Sequence, residues 1–222
     1  MLFLDKMIQG LYCITNKEIS RKDEVQVVRE LLEGGCRVVQ YREKGRTKEE
    51  RIETAMMMKE IVKSYDATFI VNDYVEVAKK VGADGVHLGQ KDLKICSYEE
   101  ARRQLGDGKI IGITVHNVEE AVEAEKLGAD YLGVAPIFAT TTKKDAGPPA
   151  GVQLIRDIKA KVSIPLVAIG GITLENLETV IKAGADSVAV ISGVLASDDI
   201  KKEVKKFNER IKKAYQDIGY RR

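Results

Sequence analysis

Asp73 and Asp92, the cations Arg42, Lys44 and Lys143, and the hydroxyls of Thr140 and Thr142 are side chains suited to anions and hard metals. Each follows a short apolar run that reads as a strand. Two carboxylates at neighbouring strand ends would repel by about 4 kcal/mol at about 4 Å and an effective dielectric of about 20. A hard cation removes that cost, and Mg²⁺ takes one or two carboxylates together with substrate phosphate oxygens. The same residues also suit a helix cap at Asp73 and a turn at Asp92, and spacing does not separate the two readings. Gly170-Gly171 and Ser192-Gly193 follow two further apolar runs. Glycine there lets backbone N–H groups approach a phosphate, although two tight turns would also call for it. Three cations exceed what one monophosphate needs. They suit a diphosphate leaving group beside a second, phosphorylated substrate.

Other chemistries find little support. His87 and His116 are the only histidines, too few for zinc, and His87 reads as a hydrogen-bonded core residue. Ser192 has no neighbouring base, and no Gly-x-Ser-x-Gly or Walker-type loop occurs. Cys13, Cys36 and Cys96 have no metal-type spacing and read as reduced thiols of a cytoplasmic protein. With 36 Lys+Arg against 34 Asp+Glu, net charge +2, nothing points to nucleic acid or a membrane surface. The longest apolar runs are strand-sized, and Asp5 and Lys6 interrupt any leader pattern in Met1 to Gly10.

The elements that must position these groups alternate regularly. Strands are expected at Leu11–Thr15, Val38–Tyr41, Thr68–Val71, Gly85–Leu88, Lys109–Thr114, Tyr131–Val134, Pro165–Ile169 and Ser187–Ile191. Between them, apolar residues recur at helical spacing, as in Val25, Val28, Leu31 and Leu32, or in Ile200, Val204, Phe207, Ile211 and Tyr215. Thr47 with Glu50, Ser97 with Glu100 and Asn117 with Glu120 are capping-box pairs, and Gly34-Gly35 is expected to end its helix as a left-handed cap. Gly34-Gly35-Cys36, Gly82-Ala83-Asp84, Gly128-Ala129-Asp130 and Gly184-Ala185-Asp186 mark similar helix-to-strand junctions at near-regular intervals. Eight strand–helix units without a linker give one (β/α)₈ TIM barrel over residues 1–222, in preference to an open doubly wound sheet. Its active site belongs at the C-terminal strand ends, where the polar residues fall.

Over nearly its whole length the chain resembles the thiamine-phosphate synthase family. The resemblance is carried by Gln40-Tyr41-Arg42-Glu43-Lys44, Asn72-Asp73, Asp84 to Gln90 with Asp92, Pro136 to Ala146, Ala168-Ile169-Gly170-Gly171-Ile172 and Val190-Ile191-Ser192. It implies coupling of 4-amino-2-methyl-5-(diphosphooxymethyl)pyrimidine to a thiazole phosphate, giving thiamine phosphate and diphosphate, with CO₂ from a carboxylated thiazole. By the family pattern Gln40, Tyr41, Arg42, Glu43, Lys44, Asn72, Thr114 and Lys143 hold the pyrimidine diphosphate. Asp73 and Asp92 hold Mg²⁺, and Thr140, Thr141, Thr142, Gly171, Ile191 and Ser192 hold the thiazole phosphate. The implied chemistry is dissociative, with Arg42, Lys143 and the two aspartates acting on the leaving group. Thr114 stands where the family usually has serine, and Ala135 where it has glycine. The paralogous thiazole tautomerases, the nearest alternative, resemble this barrel with a catalytic histidine at position 135. A non-catalytic thiamine-phosphate binding protein is a further alternative that has no need of the aspartate pair. Oligomeric state is open.

Overall fold

The computed structural model describes residues 8–143 and 146–219. Eight parallel strands close into a barrel in chain order: β1 Gly10–Ile14, β2 Val38–Tyr41, β3 Thr68–Asn72, β4 Gly85–Leu88, β5 Ile110–Val115, β6 Tyr131–Val134, β7 Leu166–Ile169 and β8 Ser187–Val190, with β1 pairing both β2 and β8. Around it, among the described residues, lie α1 Lys17–Ser20, α2 Glu24–Glu33, α3 Lys48–Ser64, α4 Val75–Val81, α5 Tyr98–Leu105, α6 Val118–Leu127, α7 Gly151–Lys159, α8 Leu177–Lys182, α9 Ser192–Leu195 and α10 Ile200–Asp217. The eight longer helices match in number the eight strand–helix units expected. The short α1 and α9 carry too few residues for a periodic signal.

Strand alternation divides the core into two layers. Tyr12, Ile14, Val38, Ile70, Ile110, Tyr131, Val167 and Ala189 fill the barrel, with Ile8 packed among them. The intervening residues, such as Leu11, Val39, Phe69, Val86, Ile111, Leu132, Ala168 and Val188, face the helices.

The repeated junctions have a common physical basis at the entry face. Asp84 accepts the Phe69 N–H (2.8 Å) and pairs with Lys59 (2.7 Å). Asp130 accepts the Ile111 N–H (2.7 Å) and pairs with Arg102 (2.6 Å). Asp186 accepts the Leu166 N–H (2.9 Å) and pairs with Lys159 (2.7 Å). Each aspartate thus ties its own strand to the preceding strand and to a helix. The first junction differs. Cys36 donates instead to the Val38 carbonyl (3.1 Å), and it is Gly35, φ +99°, that turns left-handed. Gly34 remains right-handed at φ −73°, and a Cβ there would lie 2.7 Å from that of Val204, so its role is close approach of α10.

Thr47 and Glu50 form the full capping box on α3, while Ser97 and Asn117 accept the expected N–H groups of Glu100 and Glu120. Glu120 turns its carboxylate to His116 and the Asn117 amide rather than back to the cap N–H.

Candidate active site

A cavity opens at the C-terminal ends of the strands. On one side the β2–α3 loop brings Arg42 and Lys44, the end of β3 brings Asn72 and Asp73, and the segment after β4 brings Asp92. Asp73 sits at φ +65°, a left-handed position that Asp tolerates better than most residues, and its N–H donates to the His87 carbonyl (2.8 Å). Tyr74, not Asp73, is the N-cap residue of α4, and that helix start has no side-chain cap. The Asp73 carboxylate instead meets the Lys44 ammonium at 3.0 Å. Asp92 accepts the Gly89 N–H (2.9 Å), so it does shape a turn, with its carboxyl also beside Asp73. Burial, and next the charge of Asp73, hold the Asp92 carboxyl above its ordinary range.

These residues fit a hard divalent cation. Two facing carboxylates raise the cost of both being ionised, and Lys44 offsets only part of it. Among the described residues no third histidine, cysteine or carboxylate joins them into a larger metal cluster. That donor set suits Mg²⁺, which completes its shell with water and substrate oxygens.

The opposite wall carries groups suited to an anion. Gly170 and Gly171 leave β7 with φ of +105° and +61°, and Ser192-Gly193 opens α9 after β8. The loop after β6 supplies Thr140, Thr142 and Lys143, and the Thr142 hydroxyl lies 3.4 Å from that of Ser192. Ile191 and Ile172 add apolar surface. Lys144 and Asp145, part of the motif read in this loop, lie outside the described residues.

The floor is polar. Gln40 Nε2 donates to Tyr12 Oη (2.8 Å), which meets Tyr131 Oη (2.9 Å). Tyr131 Oη meets His87 Nδ1 (2.9 Å), and His87 Nε2 meets Thr114 Oγ1 (2.8 Å). Burial pushes the His87 imidazole down to about 4. It is therefore neutral near pH 7, as expected of a hydrogen-bonded core residue, although it also faces the cavity.

The thiamine monophosphate synthase family matches residues 11–194. Thiamine-phosphate synthase of Methanosarcina barkeri is 50% identical over 202 residues, spanning 91% of this chain and 90% of that one. That of Shouchella clausii is 45% identical over 192 residues, spanning 86% and 90%. The chain belongs to the thiamine monophosphate synthase family. It is a transferase of thiamine biosynthesis on a TIM barrel. Thiamine phosphate pyrophosphorylase from Pyrococcus furiosus superimposes with a TM-score of 0.86 at 40% identity, over 96% of this chain and 98% of that one. A second pyrophosphorylase, from Bacteroides thetaiotaomicron, is 14% identical with a TM-score of 0.64, a likeness of fold alone.

Of the residues that the family pattern nominates, Gln40, Arg42, Lys44, Asn72, Asp73, Asp92, Thr114, Thr140, Thr142, Lys143, Gly171, Ile191 and Ser192 all line the one cavity. Tyr41, Glu43 and Thr141 do not. Strand alternation turns Tyr41 outward, where it is buried in the helix-facing core and receives Arg46 at 3.4 Å. Glu43 accepts the Gly45 N–H and faces Arg46 at 3.9 Å, and Thr141 is exposed on the loop. Tyr12, Tyr131, Gly133 and Ile169 line the cavity but are not among the site residues that the sequence nominates. Inward parity along their strands was the available signal, since which strands meet across a barrel is not written in local sequence. Arg46 was also missed. It bridges to the buried Glu24 at 2.5 Å and to Thr54 at 2.9 Å, anchoring the loop that carries Arg42 and Lys44.

Proposed function

We propose that this barrel joins 4-amino-2-methyl-5-(diphosphooxymethyl)pyrimidine to a thiazole phosphate or its carboxylated form, releasing diphosphate. The observation that supports this is that side chains and turns suited to two separate anions line one cavity. In this reading Asp73, Asp92, Arg42 and Lys44, with Lys143 from the loop after β6, serve one, and Gly171, Thr140, Thr142 and Ser192 serve the other; all of them line the same cavity. A single phosphorylated substrate would need only the second.

In this reading Arg42 and Lys143 bind the diphosphate and stabilise the negative charge that builds on it as its bond to the pyrimidinylmethyl carbon breaks. Asp73 and Asp92 would hold Mg²⁺, which when bound supplies further positive charge to the leaving group. Gln40, Asn72 and Thr114 orient the pyrimidine so that the exposed carbocation faces the thiazole nitrogen. The glycine turn with Ser192 and Thr142 holds the second phosphate, placing that nitrogen within reach. The residues then have positioning and charge stabilisation to supply, with no protein nucleophile. Lys44 is already paired with Asp73 and would exchange that partner for the diphosphate.

Ala135 favours coupling over thiazole tautomerisation. It lines the cavity, and a methyl group can neither give nor take a proton. The whole chain, 1–222, is taken as one domain acting in the cytoplasm on small molecules, without nucleic acid or membrane. No helix among the described residues is long and apolar enough to cross a membrane.

Asp73→Ala and Asp92→Ala test the assignment. Each should abolish turnover while the circular dichroism spectrum and melting curve stay those of the folded barrel. Chelation should silence the wild type, and added Mg²⁺ should restore it. Near-normal activity of either variant at low Mg²⁺ would overturn the metal assignment.

A further inference from the structure

Five side chains from five strands form one continuous hydrogen-bonded chain across the barrel floor: Gln40, Tyr12, Tyr131, His87 and Thr114. Its two ends, Gln40 and Thr114, both line the cavity, and the proposed function gives both to the pyrimidine diphosphate. The three middle members have no part in the coupling chemistry described above. The barrel nevertheless makes room for them. At Gly112 a Cβ would collide with the end of the Tyr131 ring, and at Gly133 it would lie 2.9 Å from His87 Cε1. Any larger residue at either position would break the chain, and both glycines stand on inward-facing strand positions beside its members.

A chain of hydroxyls and one neutral imidazole has only two internally consistent hydrogen arrangements, because each middle member donates once along it. The Gln40 amide donates to Tyr12, which selects one of them. Tyr12 then donates to Tyr131, Tyr131 to His87 Nδ1, and His87 Nε2–H to Thr114. Thr114 is left with its own hydrogen to donate, and Gln40 with its carbonyl oxygen to accept. Those are the polarities that a diphosphate, which only accepts, and an exocyclic amine, which donates, would require at the two ends.

We propose that Tyr12, Tyr131 and His87 are positioning residues that lock Gln40 as an acceptor and Thr114 as a donor toward the pyrimidine diphosphate. This deepens the proposed function and rests on its placement of Gln40 and Thr114. The three middle members also line the cavity, and the effect proposed for them passes through the two ends. Reversal of all four bonds would present the opposite polarity at both ends together, so the two contacts are linked across the barrel. Such pre-set orientation removes the reorganisation that free hydroxyl rotors would otherwise undergo on binding.

Two measurements test it. The first is ¹⁵N NMR of the wild-type imidazoles at neutral pH, without substrate. Only two histidines occur, and His116→Gln assigns the signals. His87 is expected with a protonated Nε2 and a pyridine-type Nδ1. A protonated Nδ1, or both nitrogens protonated, would overturn the proposal whatever the enzyme's reaction. The second is Tyr131→Phe, which deletes the one hydroxyl joining the halves and keeps the ring. It should raise the KM for the pyrimidine diphosphate about five-fold, the worth of one neutral hydrogen bond, and leave the thiazole phosphate KM unchanged. The effects of Gln40→Ala and Thr114→Ala should be non-additive in wild type and additive in the Tyr131→Phe background. Equal shifts in both KM values, or the same non-additivity in both backgrounds, would refute a link through Tyr131. If wild type showed no coupling activity at all, the functional reading would fail instead, and the imidazole measurement would still judge the chain.

Discussion

Gly171→Ala probes the phosphate wall at the point where backbone geometry leaves least room. Gly171 has φ +61°, where an L-residue costs about 1–2 kcal/mol. The added Cβ would strike the Ala139 carbonyl oxygen and lie 2.9 Å from Phe138 Cβ. Much of that obstacle is backbone, so rotamer changes alone cannot relieve it, and overpacking of this kind costs about 1–3 kcal/mol. The sum is about 3 kcal/mol. At about 2–4 °C per kcal/mol for a chain of this size, the melting temperature should fall by about 6–12 °C. The functional loss should be selective. Ala139 leads into Thr140, Thr142 and Lys143, so displacing it parts the Thr142 and Ser192 hydroxyls that now lie 3.4 Å apart. Losing one or two charge-assisted hydrogen bonds, about 1.5–3 kcal/mol each, predicts about a 100-fold drop in kcat/KM for the thiazole phosphate. The assays are a thermal melt by circular dichroism and initial rates with each substrate varied in turn. A melting temperature within about 2 °C of wild type, with an unchanged thiazole phosphate KM, would refute both the steric argument and the placement of the phosphate.

Asp130→Ala removes the Ile111 N–H acceptor and the Arg102 partner at the entry face, and should cost about 3 kcal/mol of stability while kcat of the folded enzyme stays unchanged. Asp130→Asn, which keeps an acceptor oxygen, should cost less, and urea titration separates the two. Arg46→Ala leaves the Glu24 carboxylate, 3% exposed and held by charge rather than by an aligned hydrogen bond, without compensation. It should cost about 3–5 kcal/mol in urea melts, with Glu24→Gln recovering part of that in the double variant. Burial, opposed by Arg46, raises the Glu24 pKa above 4.5. The stability contributed by this shift is therefore complete below pH 4.5 and declines as pH rises through the folded-state pKa, so Glu24→Gln should gain on wild type over that interval. Ala135→His should crowd the cavity and cut thiamine phosphate formation without creating a tautomerase, checked by following both reactions with the same enzyme.

The strand order and most strand limits were legible because the apolar runs are short, bounded and regularly spaced. Val38–Tyr41, Gly85–Leu88 and Tyr131–Val134 fall where expected. The Gly-x-Asp junctions were visible as a repeat, but their bonds to the preceding strands needed the barrel to bring them together. At the site, single polar residues after each strand announced themselves by contrast with the apolar runs before them. Tyr41 and Glu43 illustrate the limit of a contiguous motif. Adjacent strand residues face opposite ways, so a run from Gln40 to Lys44 cannot all point into one cavity. Tyr12 and Tyr131 illustrate the converse. Each looks like an ordinary core aromatic in its own strand, and only their meeting across the barrel at 2.9 Å makes them part of a polar floor.

The central claim, coupling of two substrates at paired anion sites, is tested most directly by product formation itself. The purified chain is incubated with the pyrimidine diphosphate, the thiazole phosphate and Mg²⁺, reading thiamine phosphate by fluorescence after oxidation to thiochrome and diphosphate in parallel. The two products should appear in equal amounts, and only when both substrates and the divalent cation are present. Absence of thiamine phosphate under those conditions, with thiazole tautomerisation proceeding in the absence of Mg²⁺, would contradict it.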